Sequence, residues 1–337
     1  MHFENELTRT LGIRHPLVMA PMFLITNEAM MKAAMSAGIL GCFPSLNYRD
    51  TEKLDGLLQT LNDYRSGLPN NHGSYGVNLI VQKTNIWLEK HLAICVDRKV
   101  PVYITSLGNP KEVITAAHSY GAKAFCDVTN LEHARKCYDL ECDGFIAVGQ
   151  GAGGHAGPFP TSLLVRTLRK NFPDKPVMAA GGISDGHGIL SALAAGASAA
   201  YCGTRFIASY ESSVSEDYSK AIIESGMEDI VLTDRISGTP ITIINTPYVQ
   251  KIGLHQNRVE RYLSKNPKTK KFFKMLVQKR GWNWLEKALV PGSYQNLWCA
   301  GQSVELIENS KPIQEIVTEM VSDLERAYNE LSGMHRS

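Results

Sequence analysis

Long apolar runs are missing from this sequence. Nowhere do about 18 apolar residues follow one another, so no membrane-crossing helix is expected. The seven cysteines form no C-x-x-C pair, and the ten histidines show neither H-x-x-x-H nor H-x-H spacing, so a dedicated zinc site is not expected. Charge of one sign is not in excess either. Thirty-five basic residues stand against 33 acidic ones, a formal net charge of +2, which gives no electrostatic reason for a nucleic-acid or membrane-surface partner. The most basic stretch, Lys265 to Lys274, holds five lysines and reads as a solvated helix face. The first ten residues are polar and charged and lack the apolar core of a signal peptide. Several cysteines sit inside apolar runs, which suits buried thiols in a reducing cytoplasm, the expected compartment.

What the sequence does have is a regular alternation. With 337 residues and 44% hydrophobic content there is material for a large core; two domains are permitted, and one barrel with an insertion fits equally well. Eight short apolar runs occur at Leu17–Ala20, Leu40–Pro44, Tyr75–Val81, Val102–Thr105, Ala124–Val128, Gly144–Val148, Pro176–Ala180 and Ala199–Cys202. Continuous apolar runs of this length suit strands buried on both faces, as in a parallel sheet. Amphipathic helical patterns lie between them, and Gly38, Gly121 and Gly196 stand where a helix stop needs positive φ. Strict strand–helix alternation implies parallel pairing through right-handed crossovers. Eight units favour an α/β fold of the (β/α)8 TIM-barrel type over an open doubly wound sheet. The pattern breaks after Arg205 and resumes with an amphipathic segment, Ile313 to Leu331. The expected organisation is therefore a barrel of residues 1–209 and 303–337, with a smaller lobe, residues 210–302, inserted after strand eight on the substrate side.

In such a barrel the chemistry sits at the C-terminal ends of the strands. After strand one come Ala20, Pro21 and Met22; after strand three, Asn78; after strand five, Asp127. After strand seven come Ala180, Gly181 and Gly182, and after strand eight Gly203 and Thr204. Glycine turns in these last two places, each leading into a helix start, match the usual barrel phosphate site, because glycine lets a phosphate approach the backbone N–H groups. The loop after strand six, Gly149 to Gly157, contains G-x-G-x-x-G. Pro158 and Pro160 interrupt any immediate helix and the next strand ends without a carboxylate, so it is not a Rossmann fingerprint. Its notable residue is His155, an imidazole among five glycines at the catalytic face, able to serve as base, acid or anion donor near neutral pH.

Together these residues resemble the nitronate monooxygenase family, formerly called 2-nitropropane dioxygenases. The resemblance is carried by Ala20-Pro21-Met22, Gly76-Val77-Asn78, Ala152-Gly153-Gly154-His155, Ala179-Ala180-Gly181-Gly182-Ile183, Gly203-Thr204-Arg205-Phe206 and Ala300-Gly301-Gln302. It implies FMN held without a covalent bond across the barrel mouth. Ala20, Pro21 and Met22 would line the flavin, with Asn78 and Asp127 among the cofactor-binding residues and Gln150 and Gly151 beside the ring. Ala180, Gly181, Gly182, Gly203 and Thr204 would form the phosphate side. His155 would be the catalytic residue, orienting a nitronate or deprotonating a nitroalkane. The implied reaction takes a small-molecule substrate and O2 to a carbonyl compound and nitrite. A homodimer is compatible with it, and no metal is implied. The same motif set occurs in NAD(P)H-dependent flavin reductases acting on quinones or on enoyl-acyl-carrier-protein substrates. Where many family members carry an acidic residue before A-G-G-H, this chain has Gly151. The apolar phrase Met22-Phe23-Leu24-Ile25 would wall a pocket for any of these substrates.

Overall fold

The computed structural model describes residues 3–69, 72–235, 240–257 and 296–334, with scattered positions between 260 and 284. Eight parallel strands close into one barrel in sequence order: β1 (Leu17–Met19), β2 (Leu40–Pro44), β3 (Ser74–Ile80), β4 (Val102–Ser106), β5 (Lys123–Val128), β6 (Gly144–Val148), β7 (Val177–Ala180) and β8 (Ala199–Cys202). Closure runs through β1 and β8, where Val18 pairs with Tyr201 and Met19 with Cys202. The chain is thus a TIM barrel, and the open-sheet alternative falls because β1 has a neighbour on each side.

The apolar runs become strands because each strand is buried twice. Inward-pointing residues such as Val18, Leu40, Cys42, Ile104, Phe125, Ile146, Met178 and Tyr201 form one core inside the barrel. Their neighbours, among them Leu17, Met19, Phe43, Tyr75 and Phe145, form a second core beneath the helices. The helices are α2 (Glu28–Ser36), α3 (Thr51–Ser66), α4 (Leu88–Asp97), α5 (Lys111–His118), α6 (Leu131–Tyr138), α7 (Thr161–Asn171) and α8 (Gly186–Ala194). Asn27, Asp50, Asn130 and Asp185 cap four of them with side-chain oxygens. Gly38, Gly121 and Gly196 take φ of 83°, 86° and 99° just past helix ends, as their spacing predicts.

A helix that the apolar runs do not announce, α1 (Glu6–Leu11), precedes the barrel. Its polar sequence hides two apolar residues, Leu7 and Leu11, which join Ile13 and the inner core and close the N-terminal end of the barrel. After β8 come α9 (Thr204–Ile207), α10 (Glu216–Glu224), the antiparallel pair β9 (Ile230–Thr233) and β10 (Ile241–Ile244), and α11 (Pro247–Ile252). The last helix, α12 (Ile313–Gly333), returns to pack on α8 and α2. Most of the lysine-rich stretch 265–274 lies outside the described residues. Among the described residues no helix is long and apolar enough to cross a membrane.

Candidate active site

Most of the expected site residues follow or end a strand at the C-terminal mouth of the barrel. Asn78 and Asp127, expected after strands three and five, lie instead inside β3 and β5, because pairing with β4 and β6 continues past them. On one side the loops after β1 and β8 touch. The Ala20 amide donates to the Cys202 carbonyl at 2.8 Å. A Cβ added to Gly203 would stand 3.7 Å from the Ala20 Cβ and 3.8 Å from the Met22 Cγ. Pro21 and Met22 open a loop whose fourth residue, Leu24, is left-handed at φ 61°. Asn47, after β2, holds it: its Oδ1 accepts from the Leu24 amide at 2.8 Å, and its Nδ2 donates to the Thr26 carbonyl at 2.9 Å.

On the barrel floor three side chains form a relay. Asn78 Nδ2 donates to Ser106 Oγ at 2.8 Å and to the Ile104 carbonyl at 3.3 Å. Ser106 donates to Asp127 Oδ2 at 2.5 Å. Both Asn78 amide protons are therefore committed, and what Asn78 can offer a ligand is its carbonyl oxygen, an acceptor. Asp127 keeps part of its surface open at the mouth. Its Oδ1, however, is sealed from solvent and meets no donor among the described residues, and the buried Tyr201 hydroxyl likewise has no partner among them. Burial pushes the Asp127 carboxyl up to about 6, an effect the Ser106 hydroxyl only partly opposes. Burial, with the Asp127 charge as a smaller cause, pushes both Cys42 and Tyr201 well above their ordinary values.

The glycine loops meet on the other side. A Cβ on Gly151 would stand 2.8 Å from the Gly182 nitrogen, and one on Gly181 would stand 2.7 Å from the Ala152 nitrogen. A Cβ on Gly301 would stand 2.4 Å from the Gly151 carbonyl oxygen. These backbones touch, and only glycine permits it. Gly181 and Gly182 also take φ of 118° and 75°. The Gly182 amide donates to the Gly151 carbonyl at 3.2 Å. This differs from the expectation that such amides all point out to a ligand: part of this glycine's role is to seat the loop after β6. Next to it, buried Thr204 accepts from the Gly301 amide at 3.0 Å, which leaves its own hydroxyl proton to donate. Gln150 and His155 are exposed on the rim, while Gly149 donates to the Ala180 carbonyl at 2.9 Å beneath them. The loop reaches a helix only at Thr161, in agreement with its rejection as a dinucleotide fingerprint.

Three features fit a phosphorylated ring cofactor at this mouth. A Cβ on Gly182 would meet nothing within 4 Å, so the backbone there faces open space. Among the described residues the Thr204 proton is uncommitted, and Asn78 keeps its carbonyl oxygen as an acceptor on the floor, braced through Ser106 by Asp127. Asp185, His187 and Asp323, at the start of α8 just after the β7 loop, have ligand atoms within 4.8 Å of one another. These atoms are already engaged: Asp185 caps α8, and Asp323 accepts from the Gly186 amide at 2.9 Å and from His187 Nδ1 at 3.0 Å.

A closed barrel with glycine turns and an exposed histidine in the loops at the C-terminal ends of its strands defines a class, the TIM-barrel enzymes. The particular family follows from comparison: residues 52–323 match the nitronate monooxygenase family model, and the chain belongs to that family of flavin-dependent oxidoreductases. A probable nitronate monooxygenase of Staphylococcus aureus strain Newman is 26% identical over 95% of this chain and 97% of its own. A Rhodococcus jostii protein, (3aS,4S,5R,7aS)-5-hydroxy-7a-methyl-1-oxo-octahydro-1H-indene-4-carboxyl-CoA dehydrogenase, is 28% identical over 74% of this chain and 68% of its own. The solved structure of FabK from Thermotoga maritima superposes with a TM-score of 0.82 at 29% identity, covering 98% of this chain and 99% of that one.

Three residues of the site lie outside the sequence-derived set. Ser106 links Asn78 to Asp127, Asn47 holds the loop after β1, and Thr242 of β10 grips the loop after β6. Ser106 has a usable signal, since it directly follows an apolar strand run. Asn47 and Thr242 have none, because each acts through backbone groups distant in sequence.

Proposed function

We propose that the chain is an FMN-dependent nitronate monooxygenase that oxidises a small nitronate or nitroalkane with O2 to a carbonyl compound and nitrite. The observation that carries this reading is the seating of the His155 loop on the Gly181–Gly182 turn, which brings an imidazole-bearing rim and an anion seat into one mouth. Gly182, Gly203 and Thr204 hold the phosphate, with Gly181 and Ala180 shaping the turn beneath it. Ala20, Pro21, Met22, Gln150 and Gly151 line the ring, and Asn78 and Asp127 face it from the floor. When bound, FMN supplies the acceptor for the substrate's electrons and passes them on to O2. The protein's own part is binding and proton handling. His155 pairs with the anionic nitronate when protonated, and takes the α-proton of a neutral nitroalkane when it is not. The apolar residues Met22 to Ile25 keep water from the reacting carbon. The test is anaerobic mixing of the purified yellow protein with a nitronate, NADH and NADPH in turn, followed by aerobic oxygen uptake. Bleaching by nitronate alone supports the reading, and a protein that binds no flavin sinks it.

A second reading, an NAD(P)H-dependent flavin reductase acting on a quinone or an enoyl-acyl-carrier-protein substrate, draws on the similarity to FabK and on the apolar wall after β1. In the same experiment it requires bleaching by a nicotinamide and none by the nitronate.

A further inference from the structure

The segment between β8 and α12 touches the barrel at the loop that carries His155. Thr242, in the middle of β10, makes four hydrogen bonds to that loop. Its amide donates to the Gly154 carbonyl at 2.8 Å, and its carbonyl accepts from the Gly154 amide at 3.3 Å. Its Oγ1 donates to the Ala152 carbonyl at 2.6 Å, with the Gly154 carbonyl at 3.3 Å as a second acceptor. Thr242 is buried, and β10 is braced on both sides: Leu232 of β9 pairs with Thr242, and Ile243 bridges to Cys299.

The bonds fall where the loop has the greatest freedom. Gly154 is left-handed at φ 69°, and a Cβ there would meet nothing within 4 Å, so packing does not hold it. What holds it is the pairing of both its backbone groups with Thr242. Gly153 is confined on its other side, where an added Cβ would stand 2.9 Å from the Gly301 nitrogen. The loop is pinned again at Gly157, whose amide donates to the Gly149 carbonyl at 3.2 Å. His155 and Ala156 are the residues between these pins.

We propose that Thr242 is a positioning residue for His155: the β10 bracket fixes the direction in which the imidazole leaves the backbone. This rests on the reading of His155 as the catalytic residue. The backbone pairing survives substitution at position 242, so the hydroxyl bond to the Ala152 carbonyl is the part a variant can remove. Without it the half-buried Ala152 carbonyl loses this donor, and the turn Ala152–Gly154 gains conformations in which the imidazole points elsewhere.

The test uses the full chain with its flavin, with the nitronate of 2-nitropropane as substrate. Thr242→Val keeps the shape and the β propensity but loses the hydroxyl. It is expected to speed amide exchange across residues 152–157 and to lower kcat about ten-fold, the weight of one buried hydrogen bond, with KM and flavin content little changed. Thr242→Ser restores the hydroxyl and is expected to match the wild type in both readouts. Wild-type exchange and kcat in Thr242→Val, beside a His155→Ala variant that has lost turnover, overturn the proposal and leave the reading of His155 standing. A Thr242→Ser variant as defective as Thr242→Val overturns it too, since the hydroxyl is then not what matters. Full turnover in His155→Ala overturns the reading itself, and is recognised because Thr242→Val then speeds exchange without touching kcat.

Discussion

At the scale of single residues, the mouth separates groups that do chemistry from groups that give it shape. His155 stands exposed on the rim, in a loop whose backbone is held at Gly154 by Thr242 and at Gly157 by Gly149. His155→Ala is therefore expected to keep bound flavin and to lower nitronate turnover by about 100-fold or more, the range of a lost general acid–base group. Flavin absorbance and oxygen uptake on one sample check both halves. Asp127 behaves in the opposite way, since its effect reaches the fold. Its carboxyl is raised from 3.8 to about 6 in the folded protein. The folded state thus binds the proton more tightly than the unfolded one, and stability falls as pH rises through the window from about 4 to about 6. Asp127→Asn removes this loss. The cofactor-free variant should be more stable than wild type at pH 7.5 by about 3 kcal/mol, with the gap closing near pH 4. Urea melts at the two pH values would show it, and a constant gap would remove Asp127 as its source. The same residues mark where sequence reading reaches and where it stops. Asp127 and Asn78 are legible as polar residues set inside apolar strand runs. Ser106 carries only the positional signal of following the run Val102–Thr105, and the relay it completes is a fact of register: Ile80 pairs with Ser106, two residues beyond Asn78.

At the scale of elements, helix ends carry much of what the sequence makes legible. The stops at Gly38, Gly121 and Gly196 and the start at Asp185 fall where the sequence signals them, since caps are local interactions within a few residues. The contacts between helices are not local and are harder to read. The first residue of α8, Gly186, is an example: a Cβ there would stand 2.0 Å from the Leu324 nitrogen and 2.6 Å from the Met320 carbonyl oxygen. Its sequence neighbourhood suggests only a helix start, while its real constraint is the backbone of α12 more than a hundred residues away. Gly186→Ala should force α12 off α8 and cost about 3 kcal/mol or more, as overpacking against rigid backbone does. Thermal melts would register it, and a variant with unchanged Tm would mean that α12 can shift at little cost. The Asp323 carboxylate reinforces the same junction by accepting from the Gly186 and His187 amides. Its hydrogen bond to His187, followed by the charge attraction, raises the imidazole. The imidazole–carboxylate part of the junction is thus fully present below the usual histidine range and fades as pH rises through the raised value, while acid weakens it by protonating Asp323.

At the scale of the whole molecule, the barrel and the segment after β8 form one mouth. The chain's alternation makes the barrel legible, because every strand is buried on both faces and so reads as a continuous apolar run. The segment after β8 is not legible in this way. Its contribution consists of backbone contacts: Thr242 to Gly154, and Gly301 to Thr204 and Gly153, none of which leaves a periodic trace. These contacts join two barrel strands, β6 and β8, to the segment through loops that the cofactor would touch. A phosphorylated flavin seated there binds the folded chain and not the unfolded one, so it should stabilise β6, β7, β8 and the segment together. At free FMN 100 times its Kd the gain is about 2.7 kcal/mol, and it should appear as a single, FMN-dependent rise in Tm. Gly182→Val separates the site from the fold. The Cβ itself has room, but at φ 75° a β-branched residue is strained, and its side chain fills the space where the phosphate would approach. That variant should melt lower than wild type without FMN and show no rise with it. His155→Ala should keep the full rise, because the imidazole lies on the rim and not in the seat. A Gly182→Val protein whose Tm still climbs with FMN would move the phosphate away from the turn after β7, and with it the assignment of Gly203 and Thr204 as its partners.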